Sequence, residues 1–241
     1  MNAIFSPRVI GALALYLTLP IIVSLMAFAQ LASAQAYAMP RPTPTPHAAR
    51  VAAQKARAES FYRTGLGMFS ASRYADAATN FQLALELVPN NADWRNALGL
   101  TFTRLNRDED ALREYHRAIA LDARHADAQY NLGALYHARG ESDRAVDAYR
   151  AALDAKPDFA LAHNNLGTLY AERGELERAT REFESVITLD PKSALGYFNL
   201  GLVLARQNQV APARAAFNQV IALEPNGEFA PRARAQLDQL K

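Results

Sequence analysis

The heptapeptide NNLGTLY, Asn164–Tyr170, decides the fold of this chain. Its surroundings read as helix, yet a glycine stands in its middle. An interior glycine costs a helix about 1 kcal/mol relative to alanine, so its presence needs a packing reason. The string returns 34 residues earlier as YNLGALY (Tyr130–Tyr136) and 34 residues later as FNLGLVL (Phe198–Leu204). A fixed period of this length marks a chain built from stacked structural repeats.

Counting from Ala58 as position 1 gives five units: 58–91, 92–125, 126–159, 160–193 and 194–227. Position 8 is glycine throughout (Gly65, Gly99, Gly133, Gly167, Gly201), and position 20 is alanine throughout (Ala77, Ala111, Ala145, Ala179, Ala213). Position 24 is always aromatic (Phe81, Tyr115, Tyr149, Phe183, Phe217). Leucine fills position 7 as Leu98, Leu132, Leu166 and Leu200, and proline fills position 32 as Pro89, Pro157, Pro191 and Pro225.

On these residues the chain resembles the tetratricopeptide repeat family from about Ala58 to its end. The departures are few. Arg95, Gln129 and His163 replace the bulky residue expected at position 4, with Trp94 one place early; Thr64 replaces a leucine and Ala123 a proline. They bear on how tightly those units pack. The resemblance implies an all-α, right-handed solenoid of helix-turn-helix units with a concave groove lined by the first helix of each unit.

The residues lead independently to paired helices. Positions 1–14 form one amphipathic segment and roughly positions 18–30 a second. Gly140, Gly174, Asn106 and Asn208 at position 15 tolerate a left-handed helix stop. Proline at position 32 ends the second helix. The position-8 glycine is expected to let its helix approach the position-20 alanine of its partner, with the aromatic residue at position 24 filling the space beside them. One pair cannot bury its own apolar face, so units stack. Residues 228–241 supply the end of the stack: Phe229, Ala233, Leu237 and Leu240 form one apolar stripe, while Arg234 and Asp238 occupy sites where a sixth unit needs core residues.

Helical geometry turns positions 3, 7, 8, 10 and 11 toward packing partners and positions 2, 5, 6, 9, 12 and 13 away from them. The second set is where a partner is expected. Position 6 is asparagine in three successive units, Asn131, Asn165 and Asn199, with Asn96 and Asn164 beside that line at position 5. An amide both donates and accepts, so such a ladder suits the backbone of an extended peptide. The family contains grooves that use asparagines in this way; a structural role for position 6 is the competing reading. Apolar residues flank the ladder: Tyr62, Leu66 and Phe69 at one end, Tyr130 and Leu161 in the middle, Leu195, Phe198 and Leu202 at the other. Such patches often mark binding surfaces. The alternative for the ends is that residues 48–57 fold over the first patch and the cap over the last. Glu59, Asp93, Arg104, Asp127, Glu172 and Arg206 mix both signs, so the groove selects no ligand charge.

The N-terminus belongs to a different class. A single charge, Arg8, precedes the apolar run Val9–Ala29, and LASAQA (Leu31–Ala36) offers an A-x-A cleavage pattern. Residues 1–34 therefore read as a secretory signal, with an uncleaved anchor as the alternative. Export is expected, to the periplasm in a bacterium, with membrane attachment only through an uncleaved segment. Residues 35–57 form a linker: PRPTPTP (Pro40–Pro46) is an extended spacer, and Ala48–Ala58 a helix leading into the repeats.

The 241 residues contain no cysteine, which excludes disulfides, thiolate metal sites and thiol nucleophiles. A formal charge of +2 gives no sign of nucleic-acid binding. His47, His116, His125, His137 and His163 show no metal-ligand spacing, and Gly65-Leu66-Gly67 lacks the rest of a dinucleotide loop. Asp108-Glu109-Asp110 reads as negative charge at a helix start. The expectation is an exported, non-enzymatic module that needs no cofactor and binds a protein or extended peptide.

Overall fold

The computed structural model describes residues 45–240. Residues 1–44, which hold the expected signal and most of the proline spacer, lie outside the described residues, as does Lys241. Contacts divide the chain into Met1–Val51 and Ala52–Lys241, and all five repeats belong to the second unit. Among the described residues every regular element is a helix: α1 Pro46–Ser70, α2 Tyr74–Leu87, α3 Ala92–Arg104, α4 Asp108–Leu121, α5 Ala126–Ala138, α6 Ser142–Ala155, α7 Ala160–Glu172, α8 Leu176–Leu189, α9 Ala194–Arg206, α10 Val210–Leu223 and α11 Phe229–Gln239.

Two details at the N-terminal end correct the sequence reading. Pro46 is not the last residue of an extended spacer but the first residue of α1. Thr45 makes this possible: its hydroxyl accepts from the Ala48 amide at 3.2 Å and its carbonyl from Ala49 at 2.9 Å. Proline suits that first turn because it lacks an N–H that would go unbonded there. The leading helix runs into the first repeat without a break. Residues 52–57 are turns of the same helix that holds Tyr62, so they do not fold back over it, and Gln54 donates from Nε2 to the Leu87 carbonyl at 2.9 Å.

In Ala52–Lys241 the two helices of a unit pack on each other and each second helix packs on the helix that follows it, which makes a helical-repeat solenoid. The glycine notch is filled differently from the expectation. A Cβ placed on Gly65, Gly99, Gly133, Gly167 or Gly201 would stand 2.6, 2.7, 2.8, 2.9 and 2.7 Å from a ring carbon of the position-24 aromatic of the same unit. The ring itself, not the alanine, occupies the space the glycine leaves. The position-20 alanines are fully buried, and the five rings are at most 2% exposed.

The helix stops follow the backbone logic. Asn106, Gly140, Gly174 and Asn208 have φ of 55°, 76°, 78° and 59°, and Ser72 takes the same role in the first unit at 58°. After each stop an amide reaches back five residues to close the helix end, as from Glu141 to Tyr136 at 2.9 Å and Glu175 to Tyr170 at 2.8 Å. Three first helices also begin on a side-chain cap that the repeat pattern did not announce. Asn91, His125 and Ser193 at position 34 accept from the amides of Trp94, Ala128 and Gly196.

At the far end α11 lies on the last unit. Ala233 is buried, and Phe229, Leu237 and Leu240 pack on the cluster of Phe198 and Phe217. Arg214 donates to the Leu237 and Leu240 carbonyls at 3.3 and 3.4 Å, which serves the otherwise open C-terminus of the helix.

Candidate functional site

The first helices α3, α5, α7 and α9 repeat every 34 residues and so present their position-5 and position-6 side chains in register. The position-6 asparagines bond across the joints between units. Asn131 donates from Nδ2 to Asn96 Oδ1 at 2.9 Å, Asn165 to the Tyr130 hydroxyl at 3.1 Å, and Asn199 to Asn164 Oδ1 at 2.9 Å. Position 5 of one unit thus accepts from position 6 of the next, three joints in succession. Asn165 also reaches the Tyr149 hydroxyl at 3.5 Å, and its own carbonyl accepts from Asn164 Nδ2 at 3.2 Å. Burial pushes the Tyr149 phenol up to about 12, so this hydroxyl stays protonated.

These bonds change the reading of position 6. The asparagines are half-buried and hold units together through Nδ2, so truncating them does not leave the packing untouched. The Oδ1 atoms of Asn131 and Asn199 make no bond among the described residues. Each is therefore an acceptor held in a fixed direction by the donor half of its own amide.

Position 5 departs further from the expectation. Phe198 is only 3% exposed and lies in the core against Phe217 and Phe229, with the Arg232 guanidinium over its ring. It is not a groove residue. Tyr62 stacks on Trp94 with ring centres 5.2 Å apart, and Tyr130 packs on Tyr149 and Phe159. Both are half-buried parts of the joints, with the Tyr130 hydroxyl serving the ladder. Phe69 is half-buried against Tyr74. Leu66 and Leu161 are exposed, while Leu195 and Leu202 are half-buried.

Two hollows follow the ladder. A smaller one of about 310 Å³ is lined by Ala134, His137, Ala138, Tyr149, Asn165 and Thr168. A larger one of about 510 Å³ opens between α7, α9 and α11, and Thr168 lines both. Charges along the hollows are tied across the same joints. His137 Nε2 lies 2.8 Å from Glu172 Oε2, and Arg206 donates to the Ala171 carbonyl at 2.7 Å. Among the described residues no group of three or more His, Cys, Asp and Glu side chains is placed to hold a metal. No described helix is long and apolar enough to cross a membrane.

The polar residues at position 4 prove to be joint residues too. Arg95 binds Glu114 of its own unit at 2.8 Å and donates to the Pro89 carbonyl of the preceding one at 2.7 and 3.1 Å. His163 repeats the arrangement with Glu182 at 2.7 Å and the Pro157 carbonyl at 3.0 Å. Both partners are oxygens that accept, an arrangement the imidazolium form of His163 serves by donating from both ring nitrogens. Its pKa is raised, chiefly by the bond to Glu182, against the opposing effect of burial. Gln129 has no such partner: Ala148 replaces the glutamate and Ala123 the proline. That coupled exchange is visible in the sequence alone.

A sequence profile described as tetratricopeptide repeat matches residues 62–115, 138–194 and 164–231, and a second, described as TPR repeat, matches 100–140. No curated protein matches the chain. Among solved structures, MamA superposes with a TM-score of 0.63 at 24% identity, over 70% of this chain and 92% of that one. PilF of Pseudomonas aeruginosa gives 0.64 at 20%, over 78% and 93%. YrrB, described as a TPR protein with an unusual peptide-binding site, gives 0.61 at 20%, over 73% and 90%. Likeness at these identities establishes the fold.

Proposed function

This chain belongs to the tetratricopeptide repeat family, and from that premise we infer that it is an exported, non-catalytic interaction module holding an extended segment of a protein partner in its groove. The observation that carries this reading is the asparagine ladder. Asn131 and Asn199 spend their amide N–H on the neighbouring unit and keep a carbonyl oxygen unbonded among the described residues, and Asn199 lines the larger hollow. Acceptors fixed before binding lose little side-chain entropy when a peptide N–H arrives. The peptide-binding site for which YrrB is described supports the same use of the fold. Export rests on the N-terminal pattern Val9–Ala29 followed by LASAQA, and periplasmic residence follows if the source is a bacterium.

Two measurements test this. N-terminal sequencing of the protein recovered from the exported fraction is expected to begin near Gln35; a chain that still carries Val9–Ala29 supports the anchored alternative. For the groove, partner capture from that fraction is compared between the native chain and the Asn131→Ala/Asn165→Ala/Asn199→Ala variant, with melting temperature measured on the same preparations. Loss of capture in a variant that is still folded at the assay temperature is the expected outcome. Undiminished capture removes the ladder from the binding site.

A further inference from the structure

We propose that the hollow between α7, α9 and α11 is an anchor site for one large apolar side chain of a bound peptide, flanked in that peptide by a carboxylate. The proposal rests on the groove reading above and narrows it to a peptide class.

The floor of the hollow is apolar: Phe183 and Val203, each 2% exposed, with Leu202 and Leu240 half-buried beside them. Its volume of about 510 Å³ is too small for a second domain. It falls within the roughly 300–1,000 Å³ of ligand pockets, where an apolar lining with a few placed polar groups is the usual construction. The hollow is also not isolated. Asn199 stands on its wall, and it meets the smaller hollow at Thr168. A chain lying along the asparagine line therefore passes over it, which favours a peptide side chain over a free small molecule.

Charge supplies the second half of the argument. The hollow is lined by one cation, Arg206, and one anion, Glu172. Glu172 is already paired with His137. Arg206 gives one N–H to the Ala171 carbonyl, and no carboxylate among the described residues pairs with it. That single bond fixes the guanidinium at the rim and leaves further donors for a carboxylate. An apolar residue in the hollow places a neighbouring carboxylate of the peptide at this rim. The carboxylate belongs either to an Asp or Glu side chain or to the peptide's own C-terminus.

The experiment selects binders from two randomised dodecapeptide libraries, one attached through its C-terminus and one with that terminus free. The bait is the protein, in parallel with Ala205→Trp, which fills the hollow, and Arg206→Gln, which keeps its shape and removes the charge. The expected result is enrichment of a large apolar residue within one or two positions of a carboxylate. Asp and Glu in the attached library indicate the side-chain source; enrichment of a terminal apolar residue in the free library alone indicates the C-terminal source. Peptides so selected should bind Ala205→Trp and Arg206→Gln at least tenfold and about threefold more weakly. If Ala205→Trp loses its fold by melting, Arg206→Gln alone decides through loss of the carboxylate preference. Peptides that bind without this pattern, or bind both variants unchanged, overturn the anchor while the groove reading stands if binding still depends on Asn131 and Asn199. Failure of both libraries to yield any binder overturns both readings, as does enrichment by small molecules only in a parallel fragment screen.

Discussion

The seam inside each unit and the seam between units are built on opposite principles. Inside a unit, a glycine faces an aromatic ring five times over, with ring-to-notch distances that vary only from 2.6 to 2.9 Å. Between units nothing recurs so strictly. The first joint combines arginine, glutamate and a proline carbonyl with stacked rings, the third replaces the arginine with histidine and adds asparagine with tyrosine, and the second and fourth rely on paired asparagines. The difference teaches which constraints are steric. Close-packed backbones and a flat ring admit no alternative volume, whereas polar joints need only a donor and an acceptor at matched positions. The room for variety, and with it for recognition, lies between units.

The largest expected effect breaks the inner seam. Gly167→Leu drives a branched side chain into Phe183 and the Glu182 Cβ, which lie 2.9 and 3.1 Å from where even a methyl group would sit. Overpacking of this kind costs about 1–3 kcal/mol or more. Gly174→Ala meets nothing within 4 Å and only the strain of φ +78°, about 1–2 kcal/mol for a left-handed residue. Gly174→Asn should cost less still, because Asn106 and Asn208 already hold that conformation. Denaturant midpoints rank the three; a Gly167→Leu protein no weaker than Gly174→Ala contradicts the notch.

The joint at His163 gives the next effect. Glu182→Ala leaves the largely buried His163 ring with only the Pro157 carbonyl. Loss of a charged hydrogen bond costs about 1.5–3 kcal/mol. The double change His163→Gln/Glu182→Ala copies the Gln129 and Ala148 pairing of the preceding unit and should recover part of that loss. Coupling of about 0.5–3 kcal/mol is expected for groups in direct contact. Strictly additive losses would show that the two residues do not act as one clasp.

Arg95 and His163 occupy one position with one set of partners, but only histidine titrates near neutrality. The folded-state pKa of His163 lies above its ordinary 6.5. Its stabilisation is therefore complete below 6.5 and is lost as pH rises through the raised folded value. His163→Arg should remove this part of the pH dependence, leaving a protein whose margin over the native chain grows with pH across that window. Parallel pH–stability curves for the two would show that the proton on His163 does not bear on the joint.

Much of this architecture was legible in the sequence because it is periodic. Gly, Ala and aromatic residues at positions 8, 20 and 24 fixed the helix pairs, and Gly or Asn at position 15 fixed their ends. The filling of the notch was not legible, since spacing says which helices meet but not which atom fills a gap. Position 5 was misread for a related reason. A helical wheel divides one helix into two faces, but a first helix in a stack touches its own partner, the preceding unit and the next. Phe198 points away from its own second helix in the wheel and is nevertheless buried between Phe217 of that helix and Phe229 of α11. The asparagines lie at the same border, where one amide faces both a neighbour and the groove.

The smallest expected effect separates those two faces. Asn199→Ala and Asn164→Ala each remove the bond between these residues. Each should lose about 0.5–1.5 kcal/mol from the joint. Asn164→Ala also loses the weaker 3.2 Å contact to Asn165, so it should be at least as destabilised. Only Asn199→Ala, however, removes a side chain that lines the larger hollow. Partner affinity should therefore fall further in Asn199→Ala, although the two proteins melt alike or Asn164→Ala melts lower. In Asn164→Ala the Asn199 amide keeps its carbonyl but loses the bond that aims it, and an intermediate affinity is expected. Isothermal titration alongside thermal melting reads both quantities. If affinity follows stability in the two variants, the ladder serves only the joint, and recognition rests on the walls of the hollows.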